Sequence, residues 1–164
     1  MPVAPTKRFV LLMLLLVMLG LGPGCLSLPP QPPMDLSGPG WTIRNGQAVW
    51  KPAGQTTELA GELLVATHPN GSFVVQFIKP PLPFVSVQQT DAGWQAQFFA
   101  QKKSYSGRGR PPARIIWLQL PSALAGKAAA DGWILTYRTN VDAGWRFANK
   151  RTGEFLEGFL TPHP

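Results

Sequence analysis

Apolar and polar residues alternate in short stretches over most of the chain, and turn residues separate these stretches at short, even intervals. The turn signals are Asn45-Gly46, Asn70-Gly71 and Asp91–Gly93, and the stretches between them are rich in Val, Phe, Ile, Trp and Thr. Asn-Gly between apolar runs is a strong hairpin signal because both turn residues need positive φ. Further stretches of strand length, GWILTYRT, GWRFANK and FLEGFL, follow later in the chain. The pattern predicts about eight consecutive, hairpin-linked and therefore antiparallel strands.

One segment breaks this rhythm, the stretch RPPARIIWLQLPSALAG from Arg110 to Gly126. Pro111 and Pro112 suit a helix start, and apolar residues between Ile115 and Leu120 recur at helical spacing. We expect Pro121 to end or kink this helix. The fold class predicted is mainly antiparallel β (α+β), a curved half-barrel sheet of about eight strands with a short helix across the concave face.

Several predicted strands are apolar on both faces. In Phe73–Ile78, for example, Phe73, Val75 and Phe77 point one way, and Val74 and Ile78 point the other. A flat sheet with one solvated face alternates more cleanly. A curved sheet with a helix across its mouth buries one face, and small barrels of this kind also hold apolar ligands.

The first residues have the layout of a cleavable signal. Lys7 and Arg8 precede an unbroken apolar run, Phe9–Leu19, which has the length of a secretory h-region and is too short to cross a bilayer. Small residues lead to the only cysteine, Cys25. Bacterial lipoprotein signals resemble this pattern, so we predict a signal peptide over residues 1–24 and lipidation of Cys25. The alternative is an ordinary secretory signal in which Cys25 has no role.

After the cysteine, residues 25–40 are rich in Pro, Ser and Gly and read as an extended tether without a core of its own. Residues 41–164 are predicted to form one β domain. No aspartate follows Cys25 directly, which by resemblance to proteobacterial sorting favours the outer membrane. Without residues 1–24, 13 basic and 8 acidic residues remain, and this net charge of +5 favours anionic lipid head groups as partners; export across a membrane argues against nucleic acid.

Residues that carry out catalysis are sparse. The two histidines, His68 and His163, fall in a predicted turn and in the tail. Glu58 and Glu62 share a strand face but do not flank a predicted pocket, as acid–base chemistry requires. No group of His, Cys and acidic residues has metal-ligand spacing, and SGRGRPP lacks the context of a phosphate-binding loop. We therefore expect neither an enzyme nor a cofactor.

Two predicted loops are candidates for surface contacts. The basic stretch QKKSYSGRGR is either a solvated loop or a contact for anionic lipid or an acidic partner. In IKPPLPF, the prolines predict a loop because they cannot pair within a sheet. Its residue Leu82 either folds back onto the core or forms an exposed apolar tip that touches a membrane.

The stretch LAGELLVATHPNGSFVVQFIKPPLPFVSVQQTDAGWQAQF, together with IWLQLPSALAG and DGWILTY, resembles the LolA/LolB lipoprotein-carrier family. The likeness is closest to the LolB type, outer-membrane receptors that are themselves lipoproteins. It implies a half-barrel closed by helices, an apolar cavity for lipoprotein acyl chains, and a protruding leucine, here Leu82, that helps to deliver lipoproteins into the membrane. It also implies a periplasmic LolA-type carrier as a partner. The chain departs from the family in its shorter helical segment and abbreviated last strands.

The function predicted is that of a lipid-anchored protein on the periplasmic face of the outer membrane, which binds acyl chains non-covalently and helps to localise lipoproteins there. The alternative is a non-catalytic envelope lipoprotein with a filled core that acts as a scaffold or interaction module. The candidate cavity residues are Leu63, Val65, Phe73, Val75, Phe77, Val85, Val87 and Trp117.

Overall fold

The computed structural model describes residues 31–130, 132–138 and 144–162. The predicted signal peptide, the predicted lipidation site Cys25 and the tail histidine His163 lie outside these residues.

In the part of the chain described, nine antiparallel strands form one open, curved sheet, which confirms the mainly antiparallel fold with more strands than the eight or so expected. The sheet order is β6-β5-β4-β3-β2-β1-β9-β8-β7, so the last strand lies beside the first. A single turn of 3-10 helix precedes β6, and one α-helix lies between β6 and β7. The elements are β1 Thr42–Lys51, β2 Leu59–Thr67, β3 Phe73–Lys79, β4 Leu82–Thr90, β5 Gly93–Phe98, the 3-10 turn Phe99–Gln101, β6 Lys103–Gly107, α1 Ile116–Leu124, β7 Trp133–Tyr137, β8 Trp145–Asn149 and β9 Phe155–Pro162.

Two of the three predicted hairpin turns are confirmed, and one is wrong. Asn70-Gly71 connects β2 to β3, and Asp91–Gly93 leads from β4 into β5. Asn45-Gly46 instead lies within β1, which pairs with β2 on one side and with β9 on the other. A Cβ at Gly46 would collide with the backbone carbonyl of Phe159. The glycine therefore serves a close approach of two strands rather than a turn.

The stretch IKPPLPF is not a loop, contrary to the prediction. Lys79, the last residue of β3, pairs with Leu82, the first residue of β4. Only Pro80 and Pro81 form the turn between the strands, where their missing N–H groups remove no ladder hydrogen bond. Leu82 does not fold back onto the core, since 64% of its surface is exposed.

Half of the predicted basic loop is also a strand. Lys103–Gly107 forms β6, which pairs with β5 at one edge of the sheet. Lysine and serine side chains along an edge strand discourage pairing with other chains, which accounts for a polar sequence in an extended conformation. Residues 108–110 of the stretch remain in a loop, and Lys102 lies in the turn before β6.

The helix starts later than predicted. Pro111 and Pro112 precede α1, whose first residue is Ile116, and Pro121 lies inside the helix without ending it. The missing N–H of Pro121 removes the hydrogen bond to the carbonyl of Trp117, but Pro121 is buried along with most of the helix. Packing against the sheet therefore holds the last turn in place.

The two faces of the sheet have different coverings. The inner face, which carries Val65, Val75 and Val87, packs against α1 and forms one hydrophobic core. Part of the outer face is covered by residues 31–36. These have no regular secondary structure but are held by three hydrogen bonds: Gln31 N–H to Gln95 Oε1 at 2.6 Å, Gln88 Nε2 to the Pro32 carbonyl at 3.0 Å, and Gln88 Nε2 to Gln31 Oε1 at 3.4 Å. The end of the predicted tether is thus docked on the domain.

Candidate functional site

The structure brings the eight predicted cavity residues together on the inner face but fills the space between them. They occupy adjacent positions on β2, β3, β4 and the helix, and each is at most 5% exposed. All eight belong to one continuous hydrophobic cluster. The predicted shared face is therefore correct, and an open cavity among these residues is not present: Leu63, Val65, Phe73, Val75, Phe77, Val85, Val87 and Trp117 are core residues in this conformation.

Aromatic rings fill the centre of the core. The ring of Trp117 from α1 lies between Trp50 of β1 and Phe77 of β3, with both centroid distances 5.2 Å. Trp50 meets Trp117 edge to face at 75°, an arrangement that aromatic pairs favour. A ligand that reaches the inner face must displace or border on these rings.

A recess opens at the end of this aromatic cluster, beside the first turn of the helix. Its volume is about 430 Å³, which falls within the roughly 300–1,000 Å³ of small-molecule sites. Its walls carry polar and apolar surface in similar amounts, and the polar part includes one buried carboxyl group and one arginine. The residues that line the recess are Ala53, Phe98, Gln101, Tyr105, Arg114, Ile115, Ile116, Trp117 and Glu154.

Glu154 is the buried acidic group of the recess. It is 9% exposed, and its Oε1 accepts a hydrogen bond from Trp50 Nε1 at 3.1 Å. Burial raises the pKa of Glu154, and the hydrogen bond from Trp50 opposes that rise to a smaller extent. The carboxyl group therefore favours its neutral form more than an exposed glutamate does. An apolar ligand in the recess meets a less polar group than an ionised carboxylate.

The indole nitrogen of Trp117 is a buried donor without an acceptor among the described residues. Buried polar groups nearly always have a partner, so each exception asks for an explanation. Trp117 is fully buried and lines the recess. An acceptor brought by a ligand, such as an ester or amide carbonyl, would satisfy it.

The helix that covers the inner face is weakly fixed by its own hydrogen bonds. Its N-cap residue, Ile115, has no oxygen on its side chain and makes no capping bond, although a capping residue contributes about 1 kcal/mol. Pro121 removes a further bond in the middle of the helix. Apolar contacts with the sheet therefore supply most of what holds the helix on the core.

The predicted membrane-contacting residue Leu82 lies away from the recess, at the turn between β3 and β4. Phe99 is also exposed, at the neighbouring turn between β5 and β6, with 43% of its surface in solvent. Both turns lie at the same end of the sheet. The structure therefore places Leu82 beside a second apolar residue that sequence analysis did not single out.

The residues considered for catalysis are apart from the recess. His68 follows β2, and its ring contacts Trp41 at a centroid distance of 5.2 Å. Glu58 and Glu62 are exposed on or near β2. Among the residues that the structure describes, no three His, Cys, Asp or Glu side chains cluster as metal ligands do. Over the same residues, no helix has the length and hydropathy needed to cross a bilayer.

Sequence analysis missed most of the recess. The sequence did not single out Glu154, and Phe98 and Tyr105 belong to stretches interpreted as a strand and a loop. The alternation along β1 places Trp50 on the inner face with Ala48, and that signal was available. The approach of Glu154 to Trp50 comes from the β1–β9 pairing, which joins residues about 100 positions apart.

Comparison of the chain with protein-family models gives no match. No curated protein matches it either.

Proposed function

We propose that this chain is a lipid-anchored envelope protein that binds acyl chains at the recess beneath α1 and helps to localise lipoproteins to the outer membrane. The observation that carries the proposal is the recess itself, a space of mixed polar and apolar lining that opens onto the core beside a weakly capped helix. The resemblance to the LolA/LolB family and the lipoprotein-like signal before Cys25 are in agreement with it. On this proposal, a periplasmic LolA-type carrier delivers the cargo.

Binding is non-covalent and uses the hydrophobic effect. An acyl chain enters beside Phe98 and Ile116 and extends its buried length as α1 moves away from the aromatic cluster. Trp117 Nε1 donates to the carbonyl group at the head of the chain. Each square ångström of apolar surface removed from water contributes about 25 cal/mol, so no cofactor or nucleotide is needed.

One observation favours the alternative function, a scaffold or interaction module with a filled core. The eight inner-face residues and the three aromatic rings already form a close-packed cluster. A protein that only presents its surface to partners needs no more than this. The two functions differ in whether a ligand contacts the recess.

Site-specific photo-crosslinking in the cell tests the proposal on the complete chain. A benzophenone amino acid replaces Phe98, which lines the recess, and in a matched variant it replaces Ile134, which is exposed on the outer face of β7. We expect crosslinks to acylated proteins from position 98 and none from position 134, with mass spectrometry showing the attachment on an acyl chain. Crosslinks to proteins from position 134 alone would support the scaffold and contradict acyl-chain binding.

A further inference from the structure

At one end of the sheet, the strand ends and the turns between them form an edge that carries an unusual density of positive charge. The turns β1–β2, β3–β4, β5–β6 and β8–β9 all lie at this edge, because neighbouring strands are antiparallel. Of the described residues there, the acidic ones are Glu58 and the buried Glu154. We call this set of positive residues the basic rim: Lys51, Lys79, Lys102, Lys103, Lys150 and Arg151.

The charges of the basic rim are available for a partner. All its members except the half-buried Lys51 are exposed. Within the described residues, the ion pairs are those of Arg138 and Arg146 with Glu157, and none involves the basic rim. Six cations that form no ion pair with another described residue make a surface that attracts an anionic partner.

Apolar side chains project from the same edge. Leu82 and Phe99 are the exposed apolar residues at its β3–β4 and β5–β6 turns. The pairing of Val85 with Phe98 marks the end of β5, so the β3–β4 hairpin extends about 10 Å further, at roughly 3.3 Å per residue. An apolar tip that stands among lysines suits a bilayer surface, where lysines meet phosphate groups and leucine enters the acyl region.

The docked tether is compatible with this orientation. Gln31 is fixed to Gln95, which pairs with Gln88 of β4, and Leu82 is six positions further along that strand, or about 20 Å. Six positions also separate Gln31 from Cys25, and that stretch spans at most about 20 Å when extended. A lipid on Cys25 therefore has enough reach for its bilayer to meet the tip of the β3–β4 hairpin.

We infer that the basic rim, with Leu82 at its tip, docks the protein on an anionic bilayer surface, so that lysines provide attraction and Leu82 provides insertion. This inference rests on the proposed lipid anchor and adds to the proposed function the requirement for anionic lipid. It also sets the orientation: the strand ends face the bilayer, and the recess beside Phe98 opens close to it.

The test uses the complete processed chain, reconstituted in vesicles, with an environment-sensitive fluorophore on a Leu82→Cys variant. The unsubstituted chain is the labelling control, because its single cysteine is Cys25. In vesicles that contain phosphatidylglycerol, we expect blue-shifted emission that a quencher in the acyl region suppresses. In vesicles of phosphatidylcholine alone, we expect emission typical of water.

Charge variants then identify the residues responsible. In the Leu82→Cys background, Lys79→Glu with Lys103→Glu should weaken insertion at least tenfold, since each cation near an anionic surface contributes about fivefold. Arg108→Glu with Arg110→Glu changes the same charge at the other end of β6 and should have no effect. The milder pair Lys79→Gln and Lys103→Gln repeats the test without introducing negative charge.

Each contrary result overturns the inference. Equal insertion in both kinds of vesicle would show that the lysines are not needed, and no insertion in either would show that this edge does not face the bilayer. Binding of soluble polyglutamate through Lys79 and Lys103, without insertion at position 82, would assign the basic rim to an acidic protein. Crosslinking of acyl chains from position 98 is measured separately, so the proposed function can fail or hold independently.

Discussion

Two buried tryptophans form a matched pair that tests how the core is built. The ring centroids of Trp117 and Phe77 are 5.2 Å apart, and those of Trp133 and Phe147 are 5.1 Å apart. The angles between the ring planes are 34° and 29°. Both tryptophans are buried. Their hydrogen bonding differs: Trp133 Nε1 donates to the carbonyl of Ala113 at 2.7 Å, whereas Trp117 Nε1 has no acceptor among the described residues.

Replacement of each tryptophan by phenylalanine removes the same atoms, so the losses of buried volume nearly cancel in the comparison. Trp133→Phe also loses a hydrogen bond worth about 1 kcal/mol. Trp117→Phe instead relieves an unpaired donor whose burial costs about 1–3 kcal/mol. We therefore expect Trp133→Phe to lower the free energy of unfolding by about 2–4 kcal/mol more than Trp117→Phe does.

Urea denaturation followed by far-ultraviolet circular dichroism measures this difference without relying on tryptophan fluorescence. In thermal unfolding, 1 kcal/mol corresponds to about 3–5 °C for a domain of this size, so the two melting temperatures should differ by about 6–20 °C. Equal losses for the two variants would refute the reasoning, because they would show that Trp117 Nε1 is satisfied in the folded protein.

Three further predictions test other features. Burial raises the pKa of Glu154, so the contribution of Glu154 to stability falls as the pH rises from the unfolded pKa near 4.5 through the folded pKa. Glu154→Gln should therefore be more stable than the original chain at about pH 7.5 and equally stable at about pH 4. If the difference between the urea midpoints of the two chains were the same at both pH values, this prediction would be contradicted. Gly158→Ala should cost about 1–3 kcal/mol in urea denaturation, because its Cβ meets the backbone at Gln47, whereas Gly38→Ala, which has open space, should be neutral. Gln95→Leu should raise hydrogen exchange at the Gln31 amide about fivefold by removing its acceptor, and unchanged exchange would show that residues 31–36 are held in another way.

The strands could be predicted where the signal is local. Asn70-Gly71 and Asp91–Gly93 turn because the adjacent strands pair with each other, so the turn residues and the pairing agree. The Asn45-Gly46 signal failed because β1 pairs over Arg44–Lys51 with β9, which comes more than 100 positions later. A local turn preference contributes less to stability than the hydrogen-bond ladders that β1 forms on both sides. No sequence pattern near Gly46 reveals a strand partner so far along the chain.

The sequence predicts which residues share the inner face of the sheet, but it does not predict whether a cavity lies against that face. Alternation places Val75 and Val85 on one side of the sheet without knowledge of the fold. Whether that side holds a cavity depends on the volume of the side chains that cover it, and Trp50 and Trp117 meet only after β1 and α1 pack. The burial of Glu154 is likewise a result of the assembled sheet.

A filled core and a carrier function are compatible if the free energy lost when α1 leaves the sheet is close to the free energy gained when an acyl chain takes its place. On the proposed function, a ligand replaces the apolar residues of α1 that cover the sheet, among them Ile116, Trp117, Leu118 and Leu120. Their burial stabilises the closed form by about 6–12 kcal/mol, at 1.5–3 kcal/mol for each side chain. An acyl chain of about 15 methylene groups gains about 12 kcal/mol, at 0.8 kcal/mol for each one buried. Because these terms are of similar size, the helix and the ligand compete for one surface on nearly equal terms. A protein that must release its cargo to a bilayer requires this balance, whereas a permanently empty cavity of the same size would hold the acyl chain too tightly to let it go.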